Sequence, residues 1–381
     1  MVCLSTADWD AELWTNKQHL MDRLSRRGAC VLYVDSLGLR APGASRRDLT
    51  RMARRLGAWR PFARSLRPGL LRDSPLVLPV HGSRVARELN ERLLVARLRR
   101  NQRRWRLEKP LIWAYAPIAG RLYNPSHHRA LVYHCVDDLA AYPGVDADSF
   151  GREERLLIAR ADVCIGSSRP LVEHLRARGA QRVVYWPNPA NTTAFLSTPR
   201  RSGEGRRTAL GFVGAVQEAK VDLELLSECA RRRPDWDFHL VGPVDLGMRS
   251  SSIRCDQLPV NLRLRGTVEP DALPKTLAGF DVGIIPYRIN GYTQGVFPMK
   301  VFEYLSAGLP VVSTPLPSLV GEVEYVRFAT DAQGFIAEAE AALASPSANA
   351  EAARRSYAQG FSWESRVAEA EVLIHSLPLH R

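Results

Sequence analysis

Short runs of apolar residues alternate along this chain with segments of helical periodicity. The runs in the first half are MVCLST, ACVLYVDS, PLVLPV, PLIWAYAP, ALVYHCVDD, DVCIGSS and RVVYWPN. Those in the second half are ALGFVGAV, DFHLVGP, NLRLRGTV, DVGIIPY, PVVST and, more weakly, YVRFAT. Continuous apolar strands separated by helices are typical of parallel sheets that are covered on both faces. The pattern therefore predicts an α/β protein with two doubly wound domains.

The segment 187–208, PNPANTTAFLSTPRRSGEGRRT, has no periodicity and is rich in Pro, Ser, Gly and Arg. Such a composition is typical of a connection between domains. We therefore predict an N-terminal domain over residues 1–190, a linker over 191–207 and a C-terminal domain over 208–355. The tail, 356–381, predicts an amphipathic helix with a capping sequence that begins at Ser362. A length of 381 residues suits two domains that each bury a core.

Composition excludes several classes of protein. With 45% hydrophobic and 24% charged residues the chain is globular, and it has no apolar run long enough for a membrane span. Its first residues lack the basic and apolar regions of a signal peptide, so we expect a cytoplasmic location. The six cysteines are scattered without a CxxC pair, which predicts neither disulfides nor a zinc site. We expect them to act as small core residues.

The net charge of +13 is concentrated in two Arg-rich stretches, at 40–72 and 84–109. Such a surface attracts polyanions, although a solvated basic surface without a partner is the simpler alternative. Aromatic residues are sparse there and no nucleic-acid-binding motif is present, so we do not expect nucleic acid as a partner. Leu, Trp and Phe interleaved with Arg favour an amphipathic segment on an anionic membrane surface.

Two charges interrupt an apolar helix in the segment GVFPMKVFEYLSAGLPVVST, 295–314. If Pro298 is the first helical residue, Lys300 lies in the first turn, where a cation opposes the helix dipole unless an anion binds there. Glu303 shares the face of Lys300. A phosphate could bind Lys300 while Glu303 accepts hydrogen bonds from ribose hydroxyls, but a simple surface ion pair explains the spacing equally well.

A second candidate phosphate site lies in ALGFVGAVQEAKVDLELLSECA, 209–230, where a strand, a turn at Gly214 and a helix follow one another with Lys220 near the helix start. A tight turn without a ligand is the alternative. The segment lacks the third glycine and the later acidic residue of a dinucleotide fingerprint, which argues against NAD and a dehydrogenase.

These motifs, in this order, resemble the nucleotide-sugar-dependent glycosyltransferases of the GT-B fold, in particular the large retaining group often called family 4 or group 1. The resemblance is strongest in the second half, in five segments: Gly214 to Lys220, LVGP at 240–243, Gly266 to Val268, Asp281 to Pro286, and Lys300 to Val312.

The resemblance implies GT-B architecture: two Rossmann-like domains with a cleft between them, and a final helix that packs back on the first domain. It implies that Lys220 and Lys300 hold the diphosphate of a nucleoside diphosphate sugar, that Glu303 holds the ribose, and that Val268 lines the base pocket. Gly214 and Gly242 would complete the donor site. No cofactor and no metal are expected, because cationic side chains would stabilise the leaving diphosphate.

The chain departs from the family at Gly295, eight residues before Glu303, where the family commonly carries another glutamate. Gln294 or the backbone amides of Gly295 and Val296 would take over the positioning of the sugar, or the geometry differs. Retention or inversion of the anomeric configuration therefore stays open.

The acceptor side is expected in the first domain, in the loop and helix start that contain Trp9, Trp14, Lys17 and His19. Two Trp residues at the mouth of a crevice could bind a sugar ring or a polyprenyl chain, and packing within the domain is the alternative. Thr15 and Gln18 form a candidate capping box.

The catalytic candidates lie toward the end of the strand segment ALVYHCVDD, 130–138: His134, Asp137 and Asp138. A carboxylate or imidazole at such a strand end could take the proton of an acceptor hydroxyl. Strand alternation places His134 and Asp138 on one face and Asp137 on the other, unless the strand end bends. We favour Asp137, and expect at least one of the two aspartates to cap the next helix.

The sequence thus predicts a hexosyltransferase-type enzyme that transfers a sugar to a lipid-linked or polysaccharide acceptor, with retention expected, in cell-envelope or exopolysaccharide synthesis at the inner membrane face. A nucleotide-sugar epimerase of the same fold and a non-catalytic sugar-binding subunit are the alternatives.

Overall fold

The computed structural model describes residues 1–11, 14–36, 61–76, 84–141, 145–196, 205–245, 257–344 and 347–377, without the side chains of 84–87. The chain forms two compact units. The N-terminal unit comprises Met1–Pro187 and the segment from Arg366 onward, and the C-terminal unit comprises Asn188–Ser365.

The N-terminal unit is built on an eight-stranded sheet of order β3-β4-β2-β1-β5-β6-β7-β8. All neighbours are parallel except β3 and β4, which form an antiparallel pair. The strands are β1 Val2–Leu4, β2 Val31–Val34, β3 Arg64–Arg67, β4 Leu70–Asp73, β5 Ile112–Ala114, β6 Leu131–Cys135, β7 Val163–Gly166 and β8 Val183–Tyr185.

Helices connect these parallel strands: α1 Asn16–Arg26, α2 Arg84–Arg104, α3 Ala119–Leu122, α4 Ala147–Arg160 and α5 Arg169–Ala177. The predicted capping box of α1 is confirmed, since Gln18 Oε1 accepts hydrogen bonds from the Thr15 amide and hydroxyl. The central strands are fully buried because they are apolar on both faces, with Tyr33, Trp113 and Tyr133 among the largest buried side chains.

One feature of this unit was not predicted from the sequence. The hairpin β3–β4 was missed because β3 is an exposed edge strand of polar residues and lacks an apolar run. Most of the predicted strand PLVLPV lies outside the described residues, and its first two residues, Pro75 and Leu76, are not part of a strand. The other predicted strands of this unit are confirmed.

The C-terminal unit contains a six-stranded parallel sheet of order β13-β11-β9-β14-β15-β16 and a two-stranded parallel ribbon, β10-β12. Every strand predicted here is present. The strands are β9 Ala209–Val213, β10 Val216–Gln217, β11 Asp237–Val241, β12 Val244–Asp245, β13 Leu262–Gly266, β14 Val282–Ile285, β15 Val311–Ser313 and β16 Val326–Phe328.

Six α-helices of this unit lie in the described residues: α6 Thr192–Leu196, α7 Leu223–Arg232, α8 Leu273–Ala278, α9 Lys300–Ser306, α10 Ala332–Ala344 and α11 Ala348–Gln359. α6 lies inside the segment that we predicted as a linker. Its Phe195 is buried in the core of the C-terminal unit, and Arg355 of α11 donates hydrogen bonds to the carbonyls of Phe195 and Leu196. Residues 191–196 therefore belong to the C-terminal unit, and 197–204 lie outside the described residues.

The last helix is α12, Trp363–Ser376, and its turns from Arg366 onward belong to the N-terminal unit. Arg27 forms a bidentate ion pair with Glu371, and Arg129 donates a hydrogen bond to the Ile374 carbonyl. These contacts fix α12 against elements that precede it by more than two hundred residues.

Four of the cysteines are buried, at positions 3, 135, 164 and 229, whereas Cys30 is exposed and Cys255 lies outside the described residues. Within the described part of the chain, none of the helices combines the length and apolar character that a membrane span requires.

Candidate active site

The candidate donor site of the C-terminal unit lies where the neighbouring strands β11, β9 and β14 end. Gly214 directly follows β9 and Gly242 directly follows β11, with φ angles of 142° and 144° that L side chains rarely adopt. The Gly214 amide donates to the Val241 carbonyl at 2.7 Å. A Cβ atom on Gly242 would lie 2.2 Å from the Gly214 carbonyl oxygen. Both positions thus require glycine, and the two turns pack backbone against backbone.

Lys300 extends across the Gly214 turn. A Cβ atom on Gly214 would lie 2.2 Å from Lys300 Cε and 2.5 Å from its Nζ, and Nζ is 5.5 Å from the centroid of the Phe212 ring. α9 begins at Lys300 itself, so the prediction that Pro298 is the first helical residue was wrong. Since α9 has only seven residues, its dipole is a weak argument for an anion. The position of Lys300 is instead fixed by the space that Gly214 leaves.

Lys220, like Lys300, lies near Tyr287. Its backbone is held by two hydrogen bonds, from its amide to the Gln217 carbonyl and from the Arg288 amide to its own carbonyl, both 2.9 Å. Its Nζ lies 4.9 Å from the centroid of the Tyr287 ring. Lys220 and Lys300 were predicted from separate motifs, and the structure brings both close to one tyrosine.

Tyr287 is the member of this cluster that the sequence reasoning missed. Its side chain is 1% exposed. Burial alone would raise the pKa of the Tyr287 hydroxyl, but the ammonium groups of Lys220 and Lys300 outweigh burial, and the pKa lies below its usual value of 10.0. The only sequence signal was its place directly after Pro286, at the end of a buried strand, and this position looks like core.

Glu303 lies one turn after Lys300 in α9 and is half-buried. Burial raises the pKa of its carboxyl group, and the nearby charge of Lys300 partly offsets that rise. The Lys300–Glu303 proximity expected from the spacing is therefore present. It occurs in a poorly hydrated setting, unlike an exposed surface ion pair.

The remaining predicted donor residues differ in their surroundings. Val268 is partly buried against the core of the unit, after Gly266. Gln294 is exposed in a single 3₁₀ turn, Thr293–Gly295. The Val296 amide already donates to the Thr293 carbonyl at 3.1 Å, and its side chain is buried. The suggestion that this amide positions the donor sugar stays a prediction.

In the N-terminal unit the structure brings Lys17, His134 and Asp137 together, near the ends of the neighbouring strands β1, β5 and β6. Lys17 is 6% exposed, and its Nζ lies 5.5 Å from the centroid of the Tyr115 ring, which is 5.0 Å from that of His134. Burial lowers the pKa of Lys17, and the Asp137 carboxylate opposes that shift. The ammonium group of Lys17 thus lies close to the carboxylate that we favoured as catalytic.

His134 is held in its neutral form. Burial lowers the pKa of its imidazole well below 6.5, and the positive charges of Arg366 and Lys17 lower it further. Its Nδ1 atom is buried and has no hydrogen-bond partner among the described residues. Asp138, in contrast, accepts a hydrogen bond from the Ala140 amide at 3.1 Å and opens the 3₁₀ turn Leu139–Ala141. Asp138 therefore has the capping role that we expected of one of the two aspartates.

Trp9, Trp14 and His19 pack on one another. Ring centroids are 4.9 Å apart for Trp9 and Trp14 and 5.4 Å apart for Trp14 and His19, and Trp9 also lies edge-on to Tyr33 at 5.0 Å. Both tryptophans are half-buried, so they combine packing within the unit with a partly accessible surface. Burial, followed by the charge of Arg23, lowers the pKa of His19 to about 4.

Among the described residues, no group of three or more His, Cys, Asp or Glu side chains is arranged to hold a metal ion. The cationic clusters around Lys220 and Lys300 and around Lys17 are instead suited to negative charge.

Comparison with known proteins places residues 207–346 in the family model described as "Glycosyl transferases group 1". The chain is also 41% identical over 215 residues to the putative teichuronic acid biosynthesis glycosyltransferase TuaH of Bacillus subtilis (strain 168). That alignment covers 54% of this chain and 49% of TuaH. The matched part of the chain thus spans about half the length of this curated relative.

Solved structures match nearly the whole chain at low identity. HepE of Anabaena in complex with UDP has a TM-score of 0.68 at 14% identity and 99% coverage of both chains. The α,α-trehalose 6-phosphate synthase of Burkholderia multivorans has a TM-score of 0.64 at 12% identity, again with 99% of both chains covered. These matches confirm the two-domain α/β architecture that the sequence predicted.

Proposed function

We propose that this chain, which matches the group 1 glycosyltransferase family model at residues 207–346 and has the fold of the solved structures compared above, transfers a sugar from a nucleoside diphosphate sugar to a hydroxyl group in cell-envelope polysaccharide synthesis. The observation that carries the proposal is the convergence of Lys220 and Lys300 on Tyr287, with Lys300 lying across the Gly214 turn that ends β9. The relation to TuaH supports the proposed pathway class.

The donor side of the proposed reaction is assigned to the C-terminal unit. Lys220 and Lys300 would neutralise the diphosphate as the bond between the sugar and its oxygen breaks, and so stabilise the leaving group. The Glu303 carboxylate would accept hydrogen bonds from ribose hydroxyls. Structures of HepE contain UDP and UDP-glucose, and this makes a uridine nucleotide the first donor to test.

The acceptor side is assigned to the N-terminal unit. A new bond forms between the anomeric carbon and the acceptor oxygen, and the acceptor proton would pass to the Asp137 carboxylate. The ammonium group of Lys17 interacts with the Asp137 carboxylate and would help to position it toward the acceptor. The neutral imidazole of His134 would hydrogen-bond the acceptor, and Trp9 and Trp14 would contact its apolar or sugar part. Retention of the anomeric configuration is part of the proposal, and it requires the acceptor oxygen to attack from the same face that the diphosphate leaves. NMR of the product tests it.

We further propose that the acceptor is lipid-linked and that α2 lies on an anionic membrane. Leu89 and Leu93, 44% and 52% exposed, lie one turn apart on the outer face of α2. Arg100 and Arg104 continue this face toward the end of the helix, while Leu94 anchors the opposite face in the core. Exposed leucines beside arginines suit an anionic bilayer surface. Residues 40–60 of the other Arg-rich stretch lie outside the described residues.

Vesicle co-sedimentation tests the membrane surface. Vesicles with phosphatidylglycerol should bind the protein and those of phosphatidylcholine alone should not, and the double change Leu89→Ser and Leu93→Ser should weaken binding at least fivefold. Arg232→Gln, at an exposed arginine of the C-terminal unit, is the matched control. Equal binding to both vesicle types, or none, would support the simpler interpretation of a solvated basic surface.

Titration calorimetry with UDP, GDP and ADP tests the donor site. Lys300→Gln and Glu303→Gln should each weaken the preferred nucleotide about tenfold, whereas Lys275→Gln, at an exposed lysine of α8, should leave it unchanged. A folded wild-type protein that binds no nucleotide would refute the donor site. Incubation with the donor sugar alone separates the alternatives, because an epimerase would release an isomerised nucleotide sugar and a non-catalytic subunit would change nothing.

A further inference from the structure

We propose that Tyr287 is a third ligand of the donor diphosphate, donating a hydrogen bond from its hydroxyl to an oxyanion that Lys220 and Lys300 also bind. This inference rests on the proposed function and adds a residue that neither the sequence motifs nor the family match indicates. It assigns to the site a phenol whose role is to bind and orient the leaving group.

The first argument concerns hydrogen-bond partners. The Tyr287 hydroxyl is buried, and none of the described residues accepts a hydrogen bond from it, although Lys220 and Lys300 lie close enough to donate to its oxygen. The charged groups near it are the ammonium groups of Lys220 and Lys300, and an ammonium group can only donate. The phenol proton therefore has no acceptor, which is unfavourable for a buried hydroxyl. A phosphate oxygen would supply that acceptor, and its negative charge would attract both ammonium groups.

The second argument concerns rigidity. The Tyr287 amide donates to the Ile285 carbonyl at 3.0 Å, and its carbonyl accepts from the Thr314 hydroxyl at 2.7 Å. A β-bridge joins Tyr287 to Val221, next to Lys220, and its ring lies 6.0 Å from that of Phe212. The hydroxyl is thus held in place before a ligand arrives, as a preorganised donor requires.

The two lysines reach this hydroxyl from separate elements. Lys220 follows β10, and Lys300 begins α9 and crosses the Gly214 turn, above the same Phe212 ring that Tyr287 contacts. Both ammonium groups nevertheless act on the Tyr287 hydroxyl. A diphosphate bound there would attract both cations and accept a hydrogen bond from the phenol.

The inference has a spectroscopic consequence. In the free protein the lysines lower the pKa of Tyr287. A bound diphosphate offsets their positive charge and accepts a hydrogen bond from the phenol, and both effects favour the protonated phenol. Nucleotide binding should therefore move the ionisation of this one tyrosine to higher pH, which phenolate absorbance in the near ultraviolet records.

The test compares wild type, Tyr287→Phe and a control, Tyr325→Phe, at a 43% exposed tyrosine of the same unit. We expect Tyr287→Phe to weaken UDP about tenfold but UMP, with one phosphate fewer, by less than about threefold. Tyr325→Phe should match wild type for both. The UDP-dependent change in phenolate absorbance should be present in wild type and the control, and absent from Tyr287→Phe.

The outcomes separate the two proposals. If folded wild type binds no nucleotide, the proposed function fails and this inference fails with it. If wild type binds UDP but Tyr287→Phe binds it equally well, only the inference is overturned. Should Tyr287→Phe not fold, the wild-type titration decides, because UDP binding without any change in phenolate absorbance overturns the inference.

Discussion

Replacement of Gly214 by Ala should displace the end of the Lys300 side chain, although no charged residue is replaced. The new Cβ would lie 2.2 Å from Lys300 Cε and 2.5 Å from Nζ, inside any normal contact distance. Because carbon atoms pack at about 3.5–4.0 Å, the end of the Lys300 side chain must move by roughly 1.5 Å. The positive φ of Gly214 adds backbone strain of about 1–3 kcal/mol, which lowers stability but not directly affinity.

The expected loss of affinity follows from Coulomb's law. If the ammonium group moves from about 3 Å to about 4.5 Å from a unit negative charge, at an effective dielectric constant of about 20, the attraction weakens by about 2 kcal/mol. That corresponds to roughly thirtyfold in the dissociation constant. Water screens part of this interaction at a half-buried site, so we expect a loss of about tenfold to thirtyfold for UDP.

Gly205→Ala is the matched control, because Gly205 also has a positive φ, of 80°, but no atom lies within 4 Å of its would-be Cβ. Calorimetric titration with UDP and thermal unfolding would be measured for wild type and both variants. We expect both variants to lose stability and only Gly214→Ala to lose affinity. An unchanged affinity in folded Gly214→Ala would refute the reasoning that the glycine positions Lys300. If that variant does not fold, Lys300→Met tests the lysine directly.

Two further predictions concern stability. Burial lowers the pKa of His128 and of His239 to about 4, below the ordinary value of 6.5. The unfolded chain therefore takes up protons more readily as the pH falls, and each imidazole should reduce the free energy of unfolding by about 2 kcal/mol between pH 7 and pH 5. Urea denaturation at both pH values measures this, and a smaller loss is expected for His128→Gln than for wild type; equal losses would contradict the cause. Glu154→Gln should cost about 3 kcal/mol, because this 2% exposed carboxylate accepts hydrogen bonds from Tyr133 and His174, at 2.7 Å and 2.9 Å. A loss below about 1 kcal/mol in the same assay would show that the network matters little.

Apolar runs sufficed to predict the parallel strands of the two large sheets apart from β4, because a strand buried on both faces in a parallel sheet must be continuously apolar. The two-residue strands β10 and β12 and the hairpin Arg64–Asp73 escaped this rule. β3 is exposed at the edge, and β4 keeps its polar residues Arg72 and Asp73 buried by pairing them with Asp35 and Arg97. Such pairing partners come from distant parts of the chain and leave no local pattern.

The donor lysines were predictable from motifs, but their convergence was not. It depends on β9, β11 and β14 being neighbours in the sheet, and on Gly214 leaving space for Lys300. Likewise Lys17 and Asp137 were predicted from separate segments, and only the adjacency of β1, β5 and β6 places them together. Tyr287 was missed because an aromatic residue at a strand end is indistinguishable from core in sequence.

The division of the chain at Pro187 and Arg366 has a consequence for synthesis on the ribosome. The C-terminal unit is a single continuous segment, so it can fold as soon as it has emerged. The N-terminal unit emerges first but lacks the helix that carries Glu371 and Ile374, the partners of Arg27 and Arg129. The N-terminal unit must therefore wait for α12, and emergence of the chain through Ser376, rather than emergence of the first 187 residues, should set the moment at which this unit becomes resistant to protease.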